Sequence, residues 1–103
     1  MMGEQGLTLS GKKILISGAS AGIGRETALL LALQGMKVLA LGRNSDALQS
    51  LQDLAPAGSV RWLAGDLNDT TYLDALEPEM SDVDVFLNNA GVLRYAPVMD
   101  LTA

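Results

Sequence analysis

The chain has 103 residues, a net charge of −5, 49% hydrophobic and 18% charged residues, and neither histidine nor cysteine. That supplies enough apolar material for a packed core, in one small domain or part of a larger one. Lack of histidine excludes a Ser-His-Asp triad, a histidine base and imidazole metal ligation; lack of cysteine excludes disulfides, thiolate metal sites and thiol catalysis; and the acidic balance argues against a nucleic-acid partner.

In chain order, residues 1–11 read as a tail, without the basic-then-apolar pattern of a signal peptide. Lys12–Ser17 predicts a first strand. Ile23–Gln34 predicts a helix, with Gly35 where a helix C-terminal glycine belongs. Its apolar run Ala28 to Leu33 is the longest in the chain and far short of the ~18 residues that span a bilayer. Lys37–Leu41 predicts a second strand and Asp46–Leu54 a second helix, with Asn44 and Ser45 as capping candidates. Val60–Ala64 predicts a third strand. Asn68 or Asp69 caps a third helix running to about Glu77, which Pro78 ends. Asp82–Leu87 predicts a fourth strand, followed by a loop at Asn88–Gly91. Strands alternating with helices imply right-handed βαβ units and an α/β fold with a doubly wound parallel sheet.

The chemistry is concentrated where strands end. Ser17-Gly18-Ala19-Ser20-Ala21-Gly22-Ile23-Gly24 follows the first strand and opens the first helix. A strand that stops at glycine and enters a helix through small residues makes a phosphate cradle, because helix-start N–H groups point at an anion. The Gly-x-x-x-Gly-x-Gly spacing is neither Gly-x-Gly-x-x-Gly nor the Walker pattern, since Arg25 and Glu26 follow Gly24. At the end of the second strand, where a dinucleotide fold carries an acid for the adenosine ribose, Gly42 stands, and Arg43 follows it. A carboxylate there repels a 2′-phosphate, whereas a guanidinium pairs with one; the competing reading of Arg43 is a solvated loop residue. Asp66 closes the third strand, either as an acceptor for the adenine amino group or as a turn aspartate. Asn88-Asn89-Ala90-Gly91 follows the fourth strand at the same sheet edge, either as a ligand-side loop or as an Asn-rich turn.

Together the stretches Ser17–Gly24, Gly65-Asp66-Leu67 and Asn88–Gly91 resemble the short-chain dehydrogenase/reductase family, over about residues 8 to 103. The resemblance implies a Rossmann-like fold in which Gly18, Ser20, Ala21, Gly22, Ile23 and Gly24 line the pyrophosphate and adenosine ribose. It implies that Asp66 and Leu67 flank the adenine, that Asn89, Ala90 and Gly91 lie near the ribose units, and that Asn88 helps hold the central strands. Arg43 looks like the NADP-preferring version, with NAD the lesser choice. The family's Tyr-x-x-x-Lys pair is not found: Leu76 stands four residues after Tyr72 and Met99 four after Tyr95, and the lysines are Lys12, Lys13 and Lys37. No residue therefore carries over as catalytic, and none as a metal ligand.

The expectation is thus a cytoplasmic NADP-dependent oxidoreductase acting on a small carbonyl or alcohol, without a membrane partner and a homo-oligomer when full length. Residues 12–103 would be the first half of its cofactor domain, truncated after the fourth strand. The alternatives are a non-catalytic dinucleotide-binding or regulatory module, or a fragment whose open sheet edge pairs with another chain. Three helices covering two faces also predict partial exposure around Ile14, Ile16, Val85 and Leu87.

Overall fold

The structure is a computed structural model and describes residues 9–89. Its elements are β1 (Lys13–Ser17), α1 (Gly22–Leu33), β2 (Lys37–Gly42), α2 (Ser45–Leu54), β3 (Val60–Ala64), α3 (Thr70–Leu76), a 3-10 turn at Glu77–Met80, and β4 (Val85–Asn88). All pairings are parallel and the strand order is β3-β2-β1-β4. The sheet is therefore doubly wound and Rossmann-like. Two crossovers step one way from β1 to β3, and the third returns to the far side of β1. That reversal places a topological switch point between β1 and β4, at the C-terminal strand ends.

Side-chain alternation along β1 divides the core. Ile14 and Ile16 face one layer with Ala28 and Ala32 of α1 and Leu48 and Leu51 of α2. Leu15 faces the opposite layer with Leu39, Leu41, Tyr72 and Leu76. The buried residues of α1, Gly24, Ala28 and Ala32, recur every four positions and form a narrow stripe that seats the helix closely on the sheet. Gly35 ends that helix with φ at +94°, a conformation that favours glycine. Asn44 caps α2 by accepting from Ala47 N–H at 3.0 Å. Asp69 caps α3 by accepting from Thr71 N–H at 2.9 Å.

The structure corrects three expectations. Ile14 and Ile16 are buried, because they lie on the face that α1 and α2 both cover. Their register partners on β4, Val85 and Leu87, are exposed, and so is Phe86 on the other face. β4 also starts at Val85 rather than Asp82 and continues through Asn88. The alternating Asp82–Val85 pattern reads as strand, but its carboxylates serve β1 instead. Asp84 accepts from Lys13 N–H at 2.8 Å, and Asp82 accepts from Lys13 Nζ at 2.8 Å. The α3 segment ends at Leu76, one residue early, and Pro78 sits inside the 3-10 turn that follows.

Candidate functional site

The glycine loop is built by conformations and clearances that other residues do not supply. Gly18 and Gly22 have φ of +66° and +61°. A Cβ on Gly24 would run into the Gly18 carbonyl oxygen and the Asn89 side-chain amide. The loop is pinned to β2 by Ala19 N–H, which donates to the Leu41 carbonyl at 2.8 Å. α1 then begins with Ala21 at its N-cap, with no side-chain cap and no acidic residue in the first turn. The first N–H groups of a helix have no intrahelical acceptor, and here the N-cap residue Ala21 supplies none from its side chain. Such a helix start, with glycine clearing the approach, is suited to an anion. Ile23 stands at its rim with three-quarters of its surface exposed.

Beside the loop, the end of β2 is equally tight. A Cβ on Gly42 would lie 3.0 Å from both side-chain atoms of Ser20, so the position favours glycine. Arg43 points out from the turn with 74% of its side chain exposed, and its Nη2 lies 3.7 Å from Asp66 Oδ2. Asp66 divides its work. Oδ1 accepts from Asn68 N–H at 2.9 Å, which makes it a turn residue, while Oδ2 faces Arg43. Leu67 is partly buried against the second core layer.

Two residues outside the candidate set organise this region. Ser17 is fully buried; its hydroxyl donates to Asn88 Oδ1 at 2.7 Å and accepts from Asn89 N–H at 2.9 Å. One hydroxyl thus ties the ends of the neighbouring strands β1 and β4 together. Tyr72 donates to the Leu63 carbonyl at 2.6 Å, and its ring fills the space a Gly65 side chain would need. Burial raises its phenol pKa above the ordinary value. Tyr72 is a core residue that supports the β3 end. The sequence signals were a lone hydroxyl ending an apolar strand and a tyrosine in an apolar helix stripe.

The structure therefore brings Gly18, Ser20, Ala21, Gly22, Ile23, Gly24, Arg43, Asp66, Asn88 and Asn89 to the C-terminal end of the sheet. Ala90 and Gly91 lie outside the described residues. Among the described residues no cluster of acidic side chains is placed to hold a metal ion, and no helix is long and apolar enough to cross a membrane.

A glycine-lined helix start at the switch point of a doubly wound sheet defines a Rossmann-like domain. The short chain dehydrogenase family model matches residues 12–103. The chain belongs to that family of oxidoreductases, whose members use nicotinamide dinucleotides. It is 35% identical to gluconate 5-dehydrogenase of Gluconobacter oxydans, over 92% of this chain and 40% of that protein. It is 34% identical to L-xylulose reductase of Mesocricetus auratus, over 93% and 38%. Among solved structures, a short-chain type dehydrogenase/reductase from Mycobacterium marinum shares the fold with a TM-score of 0.69 and 35% identity, over 89% of this chain and 40% of that one. The chain spans about 40% of the length of these relatives.

Proposed function

We propose that this chain is the cofactor-binding part of an NADP-dependent oxidoreductase that moves a hydride between NADP(H) and a small carbonyl or alcohol. The observation that carries the NADP choice is the end of β2. Gly42 puts no carboxylate there, and the exposed Arg43 guanidinium stands next to it. A guanidinium offers a planar fork of donors that matches a phosphate.

On this reading the N–H groups of Gly22, Ile23 and Gly24 hold the pyrophosphate, and glycine at position 24 lets the chain close behind it. Ser20 and Gly42 wall the adenosine ribose. Arg43 takes the 2′-phosphate, exchanging its weak contact with Asp66 for a stronger charge-assisted one. Asp66 and Leu67 border the adenine, and Asn89, Ala90 and Gly91 border the ribose units. The nicotinamide supplies the hydride chemistry when bound; the protein orients it and excludes water. The cysteine-free sequence suits a reducing compartment, and the cytoplasm is the location we assign. Homo-oligomerisation is assigned by family resemblance.

Calorimetric titration tests the cofactor choice. NADPH binds more tightly than NADH, and Arg43→Ala weakens NADPH about 10- to 100-fold, the worth of a charge-assisted hydrogen bond, while NADH hardly changes. Equal losses for the two cofactors contradict the reading. A second assay concerns catalysis. With no Tyr-x-x-x-Lys pair in the sequence, the 103-residue chain alone turns over no alcohol or carbonyl; cofactor oxidation above a buffer control contradicts that.

A further inference from the structure

We propose that Arg25 is a positioning residue for the 2′-phosphate subsite, holding the Arg43 turn at a set distance from the glycine loop; this rests on the NADP reading above. Arg25 follows Gly24 in the first turn of α1. Its guanidinium reaches across to α2. Nη1 donates to the Ala47 carbonyl at 2.6 Å, and Nη2 donates to Ser50 Oγ at 3.0 Å. One planar group thereby grips two points on the first two turns of a neighbouring helix, a geometry that a lysine ammonium does not reproduce.

Both ends of this strut reach the site. On the α1 side, Gly24 sits against the Gly18 carbonyl, so the base of Arg25 is fixed to the glycine loop. On the α2 side, Ala47 also donates its N–H to Asn44 Oδ1 at 3.0 Å, and Asn44 follows Arg43 directly. The contact between Arg43 and Asp66 is 3.7 Å long and lies between exposed side chains, a class of ion pair that holds little. The placement of Arg43 therefore depends on the backbone of the β2–α2 turn, and Arg25 anchors that turn to the cradle. A site set in advance loses less to ordering when its ligand arrives. Arg25 acts on selectivity through Arg43, without touching the phosphate.

The test compares 2′-phospho-ADP-ribose with ADP-ribose, which differ only in the 2′-phosphate, by titration into the protein. Arg25→Met removes both donors while keeping much of the side-chain bulk. It is expected to weaken 2′-phospho-ADP-ribose by about 5- to 10-fold, less than the loss of the direct Arg43 contact, and ADP-ribose by less than about 2-fold. Arg25→Lys keeps the charge without the fork and is expected to stay weakened. Ser50→Ala removes one of the two bonds with little risk to folding, and is expected to give a smaller loss of the same selectivity. Equal losses for both ligands overturn the proposal, since they indicate a pyrophosphate contact or general loosening. Full recovery in Arg25→Lys overturns it in favour of a long-range charge effect, and unchanged selectivity in Arg25→Met and Ser50→Ala overturns it outright. A wild-type protein with no preference for the 2′-phosphate instead overturns the NADP reading, and this proposal falls with it.

Discussion

At the N-terminal ends of its strands the sheet is held by charges that find one another. Lys13 Nζ lies 2.8 Å from Asp82 and 3.8 Å from Glu79, and Arg61 grips both oxygens of Glu79 at 2.7 and 3.1 Å. Three of these groups, Lys13, Arg61 and Asp82, line a groove of about 250 Å³ at this end. The C-terminal ends are built otherwise: glycines in close contact, a helix start without a side-chain cap, and an arginine mostly in solvent. A cavity alone would point to the end opposite the proposed cofactor site. At one end charged side chains pair within the fold; at the other, the start of α1 has no side-chain cap and Arg43 stands mostly in solvent. With the proposed function, the first end serves stability and the second recognition.

The largest expected effect tests the recognition end. Gly24→Val puts a branched side chain against the Gly18 carbonyl, which is backbone and cannot swing away. Such overpacking typically costs about 1–3 kcal/mol. Titration should show cofactor binding reduced by at least about 10-fold, with lowered thermal stability. Lys37→Ala, at the opposite end, should leave cofactor affinity unchanged; a loss there would break the comparison.

A second substitution sharpens it. Gly42→Asp restores the carboxylate expected in an NAD-type site and crowds Ser20. NADPH affinity should fall by about 10-fold relative to NADH, for a repulsion near 1.4 kcal/mol. An unchanged ratio of the two cofactors would mean that this strand end does not face the ribose.

Tyr72→Phe separates support from recognition. It removes the hydrogen bond to the Leu63 carbonyl and should cost about 1 kcal/mol in denaturant unfolding, with cofactor affinity little changed. Because burial raises the phenol pKa in the fold, Tyr72 favours the folded state below the ordinary tyrosine pKa. That contribution is lost as pH rises through the raised value. The Phe variant should therefore be less sensitive to alkali than the wild type.

The smallest effect belongs to the ionic end. The hydrogen bond from Lys13 holds the Asp82 carboxyl below its ordinary pKa. Its contribution is present above the ordinary carboxylate range and lost as pH falls through the lowered value. Asp82→Asn should lower the melting temperature slightly at neutral pH and low salt. The difference should close in acid and shrink with added salt.

Local chemistry made most of the fold legible in the sequence. The caps at Asn44 and Asp69, the terminating Gly35 and the loop glycines each act within a few residues, and each stands where its own chemistry requires. The start of β4 was not legible, because Asp82 and Asp84 alternate with valines as strand residues do. Only their pairing with Lys13, 69 and 71 residues away in sequence, reveals a turn. Ser17 and Arg25 escaped for the same reason: their partners are 71 and 22 residues distant. The exposure expected at Ile14 and Ile16 failed on side-chain parity, which puts them on the face with two helices.

The central claim is that the dinucleotide sits at the C-terminal end of the sheet. Amide chemical shifts of the isotope-labelled protein, followed during titration with NADP, test it residue by residue. Large shifts are expected at Gly18–Arg25, Gly42–Asn44 and Asp66–Leu67, with Lys13, Ser59, Arg61 and Asp82 unmoved. Shifts concentrated in the Lys13–Arg61 groove, with the glycine loop silent, would contradict it.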